Sequence, residues 1–274
     1  MKKIIVLTTA FVLFSLNFCY AADIIREHNI AKSIENSFSG GKIVELMAGT
    51  RSFLGIYREG VLPMKQGGII LVHDINQNAD SPAIIRTLRN GLIESGWDTL
   101  SIQMPVGDRF ANRNDYFAML PDGNERIKAA VQFYMKKNDM NLGVIGHGFG
   151  AKNVVQSLAK SPMKAVSGII LIGMDSSDDE TKNALENLNL PILDLYGSQD
   201  LPLVLETTPK RQRASSFKAG NANYLQYRKI GADHYFTGLQ GQLLSTVRAW
   251  IDRYIAGNEI FLGNNGKNAR PAAR

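Results

Sequence analysis

The feature that most constrains the fold is a regular alternation of short apolar runs with amphipathic segments, from residue 68 to residue 255. The runs are rich in Ile, Val and Leu with almost no polar interruption, which is typical of parallel strands buried on both faces. The alternation predicts an α/β fold: a three-layer α/β/α sandwich around a mostly parallel sheet of seven or eight strands. The runs assigned to strands are Gly68–His73, Thr99–Met104, Leu142–His147, Val166–Ile172, Pro191–Tyr196 and Tyr224–Ile230.

Two further strands, residues 42–47 and 53–58, are predicted to form an antiparallel hairpin ahead of this alternation, after a polar lead-in from Asp23 to Phe38. Residues 105–124 and 201–223 are predicted to be long loops, which usually carry function when they sit on such scaffolds. The segments assigned to helices are Pro82–Glu94, Glu125–Lys137, Phe149–Lys160, Thr181–Leu188 and Leu239–Ile255.

The amino terminus has the pattern of a Sec-type signal peptide. Lys2 and Lys3 precede an apolar run, and Cys19 and Ala21 are small residues at the expected cleavage positions. The run is shorter than the ~18–20 residues of a membrane-spanning helix, which disfavours an uncleaved anchor. We expect a signal peptide over residues 1–21, one domain over 22–256, a disordered tail over 257–274, and a periplasmic or secreted mature chain with no transmembrane segment.

Composition excludes several classes of chemistry. Cys19 is the sole cysteine and leaves with the signal peptide, so the mature domain has no disulfide, no cysteine-based zinc site and no thiol nucleophile. The formal charge of +6 becomes +4 without Lys2 and Lys3, too weak a basic surface to predict a nucleic-acid partner. The basic cluster at residues 210–213 is interpreted as a solvated loop, with recognition of an anionic group as the alternative.

One strand leads directly into Gly146-His147-Gly148-Phe149-Gly150, which opens a helix. This strand–turn–helix context is that of a nucleophile elbow, G-x-S-x-G, in which the residue after the nucleophile donates its backbone N–H to an oxyanion hole. Phe149 holds that donor position, but Gly148 stands where a serine is expected. Glycine adopts positive φ freely, so this residue relaxes the backbone strain of the elbow when no nucleophile is needed.

The other parts of a catalytic triad follow in order. Asp200 comes after one predicted strand and His234 after the next, which is the chain order nucleophile, acid, histidine. His73 and Asp74 follow the first central strand, where the second oxyanion donor is expected.

Together these motifs resemble the α/β-hydrolase superfamily over residues 42–256, and most closely small bacterial exported proteins with a Gly-His-Gly elbow. The resemblance implies that Asp200 and His234 are the acid and the base. It also implies that Gly148, Phe149, His73 and Asp74 line the binding edge. Two departures stand out: the serine is missing, and Asp74 replaces a common glycine. The motifs are His73-Asp74, Gly96-Trp97-Asp98-Thr99-Leu100, the elbow, Tyr196-Gly197-Ser198-Gln199-Asp200 and Gly231-Ala232-Asp233-His234.

The histidines have alternative interpretations. His234 and Asp200 either activate water directly or keep a structural hydrogen bond, and His147 and His73 are interpreted as packing and loop-bracing residues. A metal site of His73, His147 and His234 requires all three to converge at the carboxyl edge of the sheet, and their spacing matches no metal-binding motif. The sequence therefore predicts no metal and no cofactor.

Two functions remain open at this point. The first is an exported pseudo-hydrolase, without catalysis, that binds a small molecule or an envelope protein. The alternative is a serine-less hydrolase of ester-like substrates that uses the His234–Asp200 pair to activate water. The absence of any other Ser, Asp or Glu at the elbow favours the first.

Overall fold

A computed structural model describes residues 22–137 and 141–257 of the chain. The predicted signal peptide lies outside the described residues, and so does the predicted tail beyond Gly257. Within these two ranges, no helix has both the length and the apolarity to cross a bilayer.

The core is one sheet of eight strands in the order β1-β2-β4-β3-β5-β6-β7-β8. The hairpin partners β1 and β2 are antiparallel, β2 is antiparallel to β4, and all remaining neighbours are parallel. The predicted three-layer, mostly parallel architecture is confirmed. The strands are β1 (Lys42–Ala48), β2 (Arg51–Arg58), β3 (Gly67–Val72), β4 (Trp97–Ile102), β5 (Leu142–His147), β6 (Val166–Ile172), β7 (Ile192–Gln199) and β8 (Tyr224–Asp233).

Helices cover both faces of the sheet. The chain forms α1 (Ile24–Ser37), α2 (Thr87–Leu92), α3 (Arg113–Lys136), α4 (Phe149–Lys160), α5 (Asp179–Glu186), α6 (Pro202–Glu206), α7 (Thr208–Gln212) and α8 (Gln240–Tyr254). Helices α3, α4 and α5 pack on one face, and α2 and α8 pack on the other.

Strand β3 shows why the central strands have unbroken apolar sequences. Ile70 and Val72 pack in the cluster under α3 and α4, whereas Ile69 and Leu71 pack in the cluster under α2 and α8. Successive side chains of a strand point to opposite faces, so a strand covered on both sides needs apolar residues at every position.

The predicted loop over residues 105–124 is wrong in its second half, because α3 begins at Arg113. Asn112 caps this helix: its side chain accepts from the N–H of Asn114 at 2.8 Å, and Asp115 accepts from the N–H of Asn112 at 2.7 Å. Pro121 lies inside the helix, although a proline there removes a backbone hydrogen bond. The cap and the packing of α3 on the sheet outweigh this local signal.

The predicted loop over residues 201–223 is also wrong, since α6, α7 and a π-helical turn at Arg213–Lys218 lie within it. Arg211 is fully buried, and its Nε lies 2.7 Å from Oδ2 of Asp194. The basic cluster is therefore only partly solvated, because its central member belongs to the interior.

Candidate functional site

The elbow forms at the carboxyl edge of the sheet, where β5 ends at His147 and α4 begins at Phe149. Gly148 joins them with φ 54° and ψ −117°, a conformation that costs a non-glycine residue of order 1–3 kcal/mol. Its N–H donates to the carbonyl of Ile172 at 2.8 Å, which ties the turn to the neighbouring strand β6. The sequence context thus builds an elbow even though its central residue has no side chain.

The carboxylate of Asp74 occupies the space in front of Gly148. A Cβ atom built on Gly148 would overlap this carboxylate. Oδ1 of Asp74 accepts hydrogen bonds from the N–H of Phe149 at 2.6 Å and from its neighbour Ile75 at 2.8 Å. The donors of an oxyanion hole are therefore present, and they bind an anion that belongs to the protein itself.

Sequence reasoning placed Asp74 at the binding edge but missed this position. A signal for it exists in two substitutions taken together. An acid replaces a glycine on the loop after β3, and a glycine replaces a side chain on the elbow. The second change removes the volume that the first one fills.

His234 lies between two carboxylates. Its Nδ1 is 2.6 Å from Oδ1 of Asp200, and its Nε2 is 3.1 Å from Oδ2 of Asp74. Asp200 is held in turn by the N–H groups of Gly197 at 3.1 Å and Leu201 at 2.8 Å. The structure thus brings the predicted acid and histidine together and places Asp74 where the serine of a catalytic triad would lie. Asp200, His234 and Asp74 form a row of three hydrogen-bonded side chains.

The charges of this row stabilise one another. Burial disfavours the ionised forms of all three groups, but the hydrogen bonds between them outweigh it. The pKa of His234 is raised to about 9 by its bonds to Asp200 and Asp74. The same bonds from His234 hold the pKa values of both carboxyls below their ordinary range.

His73 lies beside this row without joining it. Its Nε2 accepts from the N–H of Met104 at 2.9 Å, and its Nδ1 lies 2.7 Å from the carbonyl oxygen of Asp74. Burial lowers the pKa of His73 to about 4, so the ring is neutral. Both nitrogens are used to fix the chain, which is the bracing role suggested by the sequence.

His147 joins the row instead. It is fully buried, its ring centroid is 4.6 Å from that of His234, and its Nε2 lies 3.0 Å from the backbone carbonyl of His234. Burial lowers the pKa of His147. One ligand atom from each of Asp74, His147 and His234 lies within 4.8 Å of the other two. The fold therefore brings Asp74 together with His147 and His234, whereas the set considered from the sequence had His73 in place of Asp74.

A cleft opens beside Asp74, between α1, the loop after β3 and α3. Its walls combine polar and apolar side chains. The polar wall residues are Arg26, His73, Asp74, Asn76, Gln77, Asn78 and Asn153, and the apolar ones are Ile30, Ile75, Met104, Pro105, Val106, Tyr116, Met119 and Phe149.

The sheet order, the elbow and the Asp200–His234 pair are those of the α/β-hydrolase fold. Three solved structures show the same fold. Est1E from Butyrivibrio proteoclasticus has a TM-score of 0.61 and 16% identity, covering 77% of this chain and 98% of that one. The esterase Pf2001 from Pyrococcus furiosus has a TM-score of 0.64 and 15% identity, covering 81% of this chain and 94% of that one. Dienelactone hydrolase from Anabaena variabilis has a TM-score of 0.64 and 17% identity, covering 79% of this chain and 98% of that one.

The profile of one protein family matches the chain over residues 22–123 and 117–253, and the chain belongs to that family, described as a protein of unknown function (DUF3530). No curated protein matches the sequence.

Proposed function

We propose that this protein is an exported pseudo-hydrolase that binds a ligand at the carboxyl edge of its sheet and does not hydrolyse esters. The observation that carries the proposal is the Asp74 carboxylate, which fills the space in front of Gly148 and takes up the N–H of Phe149.

Acyl transfer needs a nucleophile ~3 Å from both a base and the oxyanion donors. Gly148 supplies no nucleophile. An ester carbonyl would also have to displace a carboxylate from the N–H donors, and the negative charge that develops on its oxygen would meet the charge of Asp74. Both requirements of the chemistry fail at the same place.

The serine-less alternative needs Nε2 of His234 to take a proton from water. In this structure Nε2 lies 3.1 Å from Oδ2 of Asp74, so the position of the attacking water is taken by a carboxylate oxygen. This contact supports binding over water activation.

The cleft beside Asp74 supports a small molecule as the ligand. It is a concave space in which apolar side chains lie beside polar groups that can orient a ligand, and small-molecule sites are usually concave in this way.

The decisive test is hydrolysis of a short activated ester. We expect the unmodified protein and its His234→Ala variant to give the same rate, equal to the buffer background. His234-dependent turnover by the unmodified protein would overturn the proposal and favour water activation.

A matched pair of variants checks the structural reason. Gly148→Ser alone introduces a hydroxyl that collides with Asp74, whereas Asp74→Gly combined with Gly148→Ser frees both the space and the N–H of Phe149. We expect weak, His234-dependent esterase activity from the double variant and less from the single one. Equal rates from the two would show that Asp74 does not block the site.

Export is proposed from the sequence of the amino terminus. Amino-terminal sequencing of protein recovered from the envelope fraction should find a mature chain that begins near Ala22. An intact Met1 on cytoplasmic protein would contradict it.

A further inference from the structure

We propose that Asp74, His147 and His234 bind a divalent transition-metal ion, with zinc the best match. The inference deepens the proposed binding role, on which it rests, by naming a ligand for the same edge of the sheet. It is carried by the positions of three buried side chains and by the partners that orient them.

The spacing of the ligand atoms suits a metal. Two ligands that are each about 2.0–2.1 Å from a tetrahedral zinc ion lie about 3.3 Å apart. Oδ2 of Asp74 and Nε2 of His234 are 3.1 Å apart. The ligand atom of His147 lies within 4.8 Å of the other two, which exceeds the separation around a tetrahedral ion by at most about 1.5 Å.

Each histidine is oriented by an acceptor behind it. The carboxylate of Asp200 accepts from Nδ1 of His234 at 2.6 Å, which leaves Nε2 to face Asp74. The backbone carbonyl of His234 can only accept, so Nε2 of His147 carries the hydrogen, and Nδ1 of the neutral ring presents a lone pair. Metal-binding histidines almost always donate their second N–H to a carboxylate or a backbone carbonyl, and here both do.

The lone pair on Nδ1 of His147 faces another acceptor. Oε1 of Gln77 lies 3.4 Å from it, and an amide oxygen is an acceptor as well. A cation near Nδ1 would satisfy both atoms.

Charge gives an independent argument. Among the described residues, neither Asp74 nor Asp200 forms an ion pair with lysine or arginine, and both are nine-tenths or more buried. Buried carboxylates are costly unless cations balance them. A protonated His234 supplies one positive charge for two carboxylates, whereas a divalent ion bound to the neutral ring would balance both.

The ligand types select the metal. Two imidazoles and one carboxylate form a common set for zinc, whereas magnesium and calcium prefer oxygen ligands alone. Zinc also binds nitrogen and oxygen sites more tightly than manganese or iron(II) does. The proximity of the cleft to Asp74 leaves room for a further ligand from solvent or from a bound molecule.

The test is a calorimetric titration of the full chain, freed of metal by a chelator, with zinc chloride at pH 7.5. We expect one ion per chain with sub-micromolar affinity. Asp74→Ala and His147→Ala should each weaken binding more than about 100-fold, and Asp200→Asn should weaken it about 10- to 100-fold through the orientation of His234. The exposed histidine His28 is the matched control, and its alanine variant should bind zinc as the unmodified protein does.

A second measurement needs no variant. The chain has four histidines, and one equivalent of zinc should shift the ring ¹⁵N resonances of His147 and His234 but not those of His28 or His73. No binding, or zinc bound at His28, would overturn the inference.

The outcomes separate the two proposals. No zinc binding together with no ester hydrolysis would remove the metal site and leave the pseudo-hydrolase standing. Zinc binding together with His234-dependent hydrolysis would support the metal site and overturn the pseudo-hydrolase.

Discussion

Two buried polar clusters lie near the carboxyl edge of the sheet, and they differ in how their charges are balanced. The lysine cluster consists of Lys152, Arg113, Asp175 and Asp178. Nζ of Lys152 contacts both carboxylates, at 2.8 Å from Asp175, and Arg113 lies 2.5 Å from the other oxygen of Asp175. Two permanent cations meet two carboxylates, so this cluster is neutral by itself.

The site cluster consists of Asp74, Asp200, His147 and His234, and it contains no permanent cation. Its two carboxylates share one histidine, which can hold a proton or give that position to a metal. The comparison teaches that a closed ion network stabilises a fold, whereas a network completed only by a mobile cation is suited to binding.

The largest effect is expected when the lysine cluster loses its buried cation. Lys152→Met leaves Asp178 without its ion pair and Asp175 with Arg113 alone, and it should lower the free energy of unfolding by about 3–5 kcal/mol. Urea denaturation followed by circular dichroism measures the change.

Lys160→Met is the matched control, because Lys160 is exposed at the end of the same helix α4. It should change the free energy of unfolding by less than about 0.5 kcal/mol. Equal effects of the two variants would show that the lysine cluster does not stabilise the fold.

A smaller effect is expected at the elbow. Gly148→Ser should cost about 1–3 kcal/mol of unfolding free energy because a side chain at positive φ is strained there, and Asp74 must also move. Asp74→Gly in the same chain should recover the part of the loss that is due to the collision.

Gly241→Ser provides the control for this change, since a Cβ on Gly241 meets nothing within 4 Å and its φ is not positive. A loss as large at this position would mean that serine itself, and not the elbow, destabilises the protein. A double-mutant cycle without coupling between Asp74 and Gly148 would refute the collision.

The smallest effect is the acid dependence of the lysine cluster. Burial opposes ionisation of Asp175, but Lys152 outweighs it and holds the pKa of this carboxyl well below its usual range. Because the folded pKa is depressed, the stabilisation is complete above the unfolded value of about 3.9 and is lost as the pH falls through the folded pKa.

Urea midpoints measured from pH 7 to pH 3 should therefore be steady down to about pH 4 and fall below it. In Asp175→Asn the midpoint should start lower at pH 7 and decline less steeply below pH 4. An identical slope in the two proteins would assign the acid dependence to other groups.

Local patterns were sufficient to predict the central strands and the elbow. The bounds of β5, α4 and β6 agree with the sequence prediction, because these elements are long, apolar and bordered by glycine or polar turns. Asp200 and His234 could be placed for a related reason: the carboxyl ends of parallel strands meet at one edge of the sheet. Helix α3 was partly missed, since its first half is polar and contains Pro121, and its stability comes from tertiary packing.

The position of Asp74 could not be predicted by the same means. Its carboxylate reaches the N–H of Phe149 only because β3 and β5 are neighbours and their loops meet at the edge. That meeting depends on distances across the fold, so neither segment alone predicts it, and the signal lies only in the combination of Asp74 with Gly148.

Helix α1 belongs to the smallest part of this protein that can keep the cleft intact. It precedes the sheet, yet Arg26 and Ile30 form part of the cleft wall, and Glu27 pairs with the buried Arg126 at 2.6 Å. A chain shortened to begin at β1 would keep all eight strands and the whole elbow, but its cleft would stand open on one side. A version trimmed to the boundaries of the sheet would therefore leave the buried Arg126 without Glu27 and present a different pocket.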